Sequence, residues 1–127
     1  MMEKETIQSQ SVPPAVGPYS QGVKAGGFIF TSGQIPADSS GRLVGGDIGI
    51  ATRQCLQNIR EILRAAGATM ENIVKVTIFL TDMADFPVVN GAYEAFFSSP
   101  PPARSCVQVA SLPKGVPIEI EAIAWLG

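Results

Sequence analysis

Histidine is absent from all 127 residues of the chain. That absence excludes Ser-His-Asp and Cys-His nucleophile schemes, histidine-ligated zinc and the ordinary proton shuttle of neutral pH. Proton transfer is left to carboxylates, Tyr, Lys, Cys, backbone or water. Cysteine is scarce: Cys55 and Cys106 form no CxxC pair, so neither a disulfide framework nor a metal clip is expected, and a reducing compartment is the simpler setting. Charge is low at 16%, and nine basic against eleven acidic residues leave a net charge of -2 and a sequence pI near 5.0. With no basic run to follow a phosphate backbone, nucleic acid is a poor candidate for the main partner. No stretch approaches the ~18 apolar residues of a membrane span. Met1-Met2-Glu3-Lys4-Glu5 opens a polar stretch rather than the apolar centre of a signal peptide. A soluble, cytoplasmic protein is expected.

What the chain does have is core-forming material, 46% apolar residues with a mean hydropathy of +0.23, read as one domain over residues 1–127. Thr6 to Gln8 reads as a short strand. The prolines at 13, 14 and 18 preclude a central strand in the stretch that follows. Tyr19 to Lys24 and Phe28 to Ser32 flank the glycine turn Ala25-Gly26-Gly27 and predict a hairpin. A Pro-, Ser- and Gly-containing loop runs from Gln34 to Gly46, and Asp47 is placed to cap a helix. From Ile48 to Ala66, apolar residues at Ile48, Ala51, Cys55, Ile59, Ile62, Leu63 and Ala66 recur at three and four, the period of an amphipathic helix that Gly67 ends.

The β-branched run Ile73 to Thr81 predicts a strand with Val74, Val76, Ile78 and Leu80 on one face and Lys75, Thr77 and Phe79 on the other. Asp85 then precedes a second helix, with Pro87 in its first turn and Val89, Ala92, Tyr93 and Phe96 inward; Ser98 to Pro102 ends it. Strands Ala103 to Ala110 and Ile118 to Trp125 close the chain across a turn at Leu112 to Gly115.

The order ββ(β)αβαββ gives an α+β fold, a mixed five- to six-stranded sheet with both helices packed on one face. Alternation then places Val107, Val109, Ile118, Ile120, Ala122 and Ala124 against the helices. Arg104, Cys106, Gln108, Glu119, Glu121, Ile123 and Trp125 fall on the opposite face. A half-apolar open face on a chain this poor in charge points to a homo-oligomer.

Arg104 follows a stiff triple proline and starts a strand, a position from which its forked N–H groups would clamp a planar carboxylate. An ion pair with Glu119 or Glu121 would be the structural alternative. If the last two strands pair, Glu119 shares a face with Arg104 and becomes the group to activate a water; the competing reading is a solvated strand edge carrying Glu119 and Glu121. Spacing alone does not choose between the two glutamates. Cys106 lies on the same side as Arg104, whose charge would lower its thiol pKa, although a structural or backbone role fits a lone cysteine better than nucleophilic catalysis. Tyr19 reads as packing, and Ser32-Gly33 as a strand end or bulge where a ligand can approach the main chain.

Taken in series, Pro13-Pro14-Ala15-Val16-Gly17-Pro18-Tyr19-Ser20-Gln21, Phe30-Thr31-Ser32-Gly33-Gln34, Val89-Asn90-Gly91-Ala92-Tyr93, Pro102-Ala103-Arg104-Ser105-Cys106-Val107, and Leu112-Pro113 through Ile118-Glu119-Ile120-Glu121-Ala122 resemble the RidA/YjgF/UK114 family of reactive-intermediate deaminases. The resemblance spans nearly the whole chain, in order. It implies a chorismate-mutase-like (RidA-like) fold and a homotrimer with clefts between subunits. It also implies hydrolysis of 2-imino acids such as 2-iminobutanoate and 2-iminopropanoate to 2-keto acids and ammonia, with no metal or organic cofactor. By motif, Arg104 would bind the substrate carboxylate and Glu119 would position or activate water. Tyr19, Ser32, Gly33, Asn90 and Cys106 would line the cleft, Cys106 mainly through its backbone. A non-catalytic protein that senses small carboxylates fits the same arginine. Translation inhibition or RNA cleavage, also associated with the wider family, fits an acidic chain without histidine poorly.

Overall fold

The computed structural model describes residues 3–127, so the reading that involved Met1 and Met2 lies outside the described residues. Six strands, β1 (Glu5–Ile7), β2 (Gly22–Ala25), β3 (Phe28–Thr31), β4 (Ile73–Leu80), β5 (Ala103–Gln108) and β6 (Ile118–Trp125), form one sheet in the order β1-β2-β3-β6-β4-β5. All neighbours are antiparallel except β4 and β5. The helix α1 (Ile48–Ala65) occurs where periodicity and Asp47 predict it; α2 (Phe86–Glu94) starts after Asp85 as expected, but Asp85 makes no side-chain cap and the helix ends at Glu94, short of Phe96.

Local chemistry explains the boundaries. Gly26 and Gly27 have φ of 57° and 86° between paired Ala25 and Phe28, the two-residue turn that matches strand twist and that side chains disfavour. β2 begins at Gly22 rather than Tyr19, because the buried Gln21 side chain is committed elsewhere: its Oε1 accepts from Ser9 N at 2.6 Å and its Nε2 donates to Pro13 O at 2.9 Å. The proline segment is thereby tied down as a strap. Asp47 caps α1 by accepting from Ile50 N at 2.8 Å, and Gly67 follows the helix at a φ of 82°. Asn58, buried on α1, donates to Ala37 O at 2.9 Å and fastens the long loop onto the helix.

Ile59, Ile62 and Leu63 of α1 and Val89 of α2 bury against Ile29, Val76, Ile78, Ile118, Ile120 and Ala124 of the sheet. Both helices therefore cover one face, as expected. Gly22 is part of this fit, since a Cβ there would meet Ile62 Cγ2 at 2.9 Å. The other face is open, with Phe28, Phe30, Val107 and Trp125 all 40–51% exposed.

Three expectations are corrected. Val74 is exposed, and Ile73 takes its place in the core, because a bulge between Ile73 and Lys75 shifts the register with β6. β5 and β6 do not pair: β4, α2 and β5 form a crossover unit that lays β5 parallel on the outer side of β4, and β6 inserts between β3 and β4. The segment from Leu112 to Gly115 is thus part of a connection over β4. Finally, the two faces of β5 are exchanged. Arg104, Cys106 and Gln108 register with Val76, Ile78 and Leu80 on the helix side, while Val107 aligns with Phe79 on the open side. β6 keeps the assignment alternation gave it, with Ile118, Ile120, Ala122 and Ala124 buried.

Candidate functional site: two half-sites

Arg104 and Glu119 do not share a face. They project to opposite sides of the sheet from strands separated by β4, so the expectation of an adjacent pair is wrong within one chain. Each instead anchors a half-site of its own.

The first lies between α2 and the start of β5. The Arg104 guanidinium donates through Nη1 to Asn90 Oδ1 at 2.7 Å. Its Cζ stands 4.7 Å from the ring centre of Tyr93 and 5.3 Å from that of Phe86. The structural alternative of an arginine–glutamate pair is not realised: among the described residues the one ion pair joins Arg64 and Glu61. Arg104 thus faces, with no ion-pair partner, a cavity of about 490 Å³ lined by Asn90, Tyr93, Glu94, Phe97, Ser98 and Pro102. Asn90 reaches that cavity as the acceptor that orients the guanidinium. Cys106 is half-buried on the same side, and its thiol pKa is raised, because burial outweighs the attraction of Arg104. The expectation of a lowered thiol pKa is therefore corrected, and a thiol that holds its proton is a poor nucleophile.

The second half-site is built where the segment after β3 meets β6. Gln34 N donates to Ile120 O at 2.7 Å and Ile120 N to Gln34 O at 3.0 Å, which brings Gly33 onto the Glu119 side chain. A Cβ on Gly33 would overlap that carboxylate, lying only 2.7 Å from Cδ. A side chain at position 33 would push the Glu119 carboxylate out of this position. Ser32 spends its hydroxyl proton on Ser20 O and leaves its oxygen lone pairs free. Tyr19 is half-exposed, contrary to a packing role, with its N–H held by Gly17 O at 2.8 Å. Together with Pro113 and Lys114 these residues line a groove of about 660 Å³.

Burial, with a smaller contribution from the like charge of Glu121, raises the pKa of Glu119. Glu121 sits two residues along the same face, opposite Thr77, but is not a wall of the groove. Of the two glutamates, Glu119 alone is a wall of this groove. Among the described residues, no group of three or more Cys, Asp or Glu side chains is arranged to hold a metal ion, and no helix is long and apolar enough to cross a membrane.

The family model described as Endoribonuclease L-PSP matches residues 9–126. The chain belongs to the RidA/YjgF/UK114 family. A family member from Salmonella typhimurium named 2-iminobutanoate/2-iminopropanoate deaminase is 50% identical over 123 residues, covering 94% of this chain and 96% of its own. The RutC family protein PH0854 of Pyrococcus horikoshii is also 50% identical over 123 residues, 96% of this chain and 98% of its own. Among solved family structures, that of E. coli TdcF with bound serine superposes with a TM-score of 0.92 at 45% identity, covering 97% of this chain and 99% of that one. The RidA-like fold is thus shared along nearly the full length, while the names borne by relatives differ.

Sequence reasoning missed several contributors. Tyr93 lies inward on α2 as expected, but spacing gives no sign that it faces Arg104, and it does not single out Phe86, since a helix-face aromatic has the same spacing whether it packs on leucine or on arginine. Gln21 and Lys114 fall inside the family-like motifs without a role of their own. The signal that was available for Gln21 was its polarity beside a strand start, next to a proline strap that needs hydrogen-bond donors.

Proposed function

We propose that the protein is a cofactor-independent deaminase that hydrolyses 2-imino acids and their enamine tautomers, such as 2-iminobutanoate and 2-iminopropanoate, to 2-keto acids and ammonia. Its clefts form between subunits of a homotrimer. The observation that carries this reading is the division of the site: an arginine without a carboxylate partner on one side of the sheet, and a desolvated glutamate in a separate groove on the other. Neither half holds both Arg104 and Glu119. Docking Arg104 of one copy against Glu119 of the partner subunit completes a carboxylate clamp facing a base. The apolar open sheet face supplies surface for such an assembly. The deaminase name of the Salmonella relative and the amino acid bound to E. coli TdcF support the same substrate class, a small molecule carrying a carboxylate beside nitrogen.

The chemistry asks little more. A protonated imine is already electrophilic at carbon, so orientation and one positioned water supply most of what is needed. Arg104 holds the carboxylate; Glu119 takes a proton from water as its oxygen bonds to the imine carbon. The same carboxyl then returns the proton to the nitrogen of the carbinolamine and takes up the hydroxyl proton as the C–N bond breaks, leaving the keto acid and ammonia, which departs with that proton as ammonium. One water is consumed and no electrons are transferred. A raised carboxyl pKa suits a group that must act as both base and acid near neutrality.

The direct test generates 2-iminobutanoate with a threonine dehydratase in the presence of semicarbazide. The protein should suppress semicarbazone formation at catalytic concentration; an unchanged rate of trapping would refute the assignment. Gly33→Ala should reduce this activity by about 10²-fold, the scale expected for displacing a reacting group by ~1 Å, while melting stays cooperative. Wild-type turnover in that variant would remove Glu119 placement from the mechanism.

A further inference from the structure

We infer that Tyr93, with Phe86, is a positioning residue for Arg104: the two rings form an uncharged seat that orients the guanidinium and shields it from water without neutralising it. This rests on the carboxylate-binding role given to Arg104 above. Tyr93 is 6% exposed, on the inner side of α2, and the Arg104 Cζ lies 4.7 Å from its ring centre, with Phe86 the second ring at 5.3 Å. Phe97 stacks on Tyr93 at 4.5 Å between ring centres and fixes the ring in turn. A partly buried cation usually recovers its lost hydration from a carboxylate. Here Asn90 and aromatic faces take that place, and both leave the charge available to a ligand. Glu94 also borders this cavity but makes no ion pair with the guanidinium.

The Tyr93 hydroxyl takes no part in the seat: it is buried with no hydrogen-bond partner in the structure. Burial also raises its pKa despite the opposing pull of Arg104, so the phenol stays neutral and does not pair with the guanidinium.

The test titrates 2-oxobutanoate, the proposed product, into the intact protein by calorimetry, alongside KM and kcat for the imine and the melting temperature. Tyr93→Leu, which retains apolar bulk but removes the ring, should weaken 2-oxobutanoate binding and raise KM by about 5- to 20-fold with a smaller change in kcat. Tyr93→Phe should restore affinity to within about twofold and melt no lower than the wild type. Phe86→Leu, at a less buried position, should move KM in the same direction, so the proposal stays testable if Tyr93→Leu does not fold. A purely structural role predicts the opposite pattern, a lower melting temperature and fewer active molecules at unchanged KM, and would overturn the inference. So would Tyr93→Phe binding as poorly as Tyr93→Leu, which would assign the effect to the hydroxyl. Arg104→Ala separates the two levels: if it still binds 2-oxobutanoate, the carboxylate role of Arg104 fails. If it does not bind while both ring variants bind normally, only the seat fails.

Discussion

Arg104→Ala should lower kcat/KM for the imine by roughly 10²–10⁴-fold, the loss of two charge-assisted hydrogen bonds at about 1.5–3 kcal/mol each. Arg104→Lys should recover little, because a single ammonium cannot reproduce the fork and leaves Asn90 without its donor. The decisive measurement mixes two inactive variants. Arg104→Ala and Glu119→Ala, unfolded together and reassembled at equal ratio, should regain about a quarter of wild-type activity. In a closed ring of three that draws each group from a different copy, about one cleft in four then holds both. No recovery, with reassembly confirmed by mass, would mean that the two groups do not meet across a subunit boundary and would refute the shared cleft. Both halves of the proposal, clamp and shared cleft, are therefore tested in one experiment.

Glu119→Gln should reduce kcat by 10²–10⁴-fold while 2-oxobutanoate binding survives. Loss of turnover with intact binding distinguishes a hydrolytic enzyme from a carboxylate sensor, for which a water-activating acid has no use. The pH profile follows from the direction of the shift. Glu119 must be ionised to take a proton from water, so activity should fall on the acid side at a pH above the ordinary carboxylate range, because its pKa is raised by burial and, less, by Glu121. Glu121→Gln should move that limb slightly to lower pH and otherwise be mild.

Stability has the opposite sign. A carboxyl whose folded pKa exceeds its unfolded value contributes most below the unfolded pKa, and that contribution is lost as pH rises through the folded pKa. At neutral pH the ionised side chain is thus a cost, and Glu119→Gln should melt slightly above the wild type at pH 7 and show no such gain at pH 4. A variant equally unstable at both pH values would indicate a lost contact rather than a relieved charge.

The parts of the fold readable from sequence are those set by local chemistry. Asp47, the three- and four-residue spacing of α1, the Gly26-Gly27 turn and the alternation of β6 each act over a few residues, and each appears where expected. What failed was non-local. Val74 alternates correctly but is turned out by a bulge that depends on its pairing with β6. The face of β5 was wrong because Arg-Ser-Cys-Val-Gln offers two half-polar sides, and only the crossover through α2 decides which lies beneath the helix. The site follows the same division. Motif resemblance singled out Arg104, Asn90, Cys106, Tyr19, Ser32, Gly33 and Glu119 one by one, whereas the division of all but Cys106, which lines neither cavity, between two separate cavities required the strand order.

Because β4 stands between them, the proposed anion-gripping wall and the proposed water-delivering wall lie on different strands and opposite faces of each polypeptide. Ser98 and Pro102 border the first and not the groove in which Gly33 admits Glu119. Substitutions at those two positions should therefore shift preference among ligands of different side-chain size while the acid keeps its place.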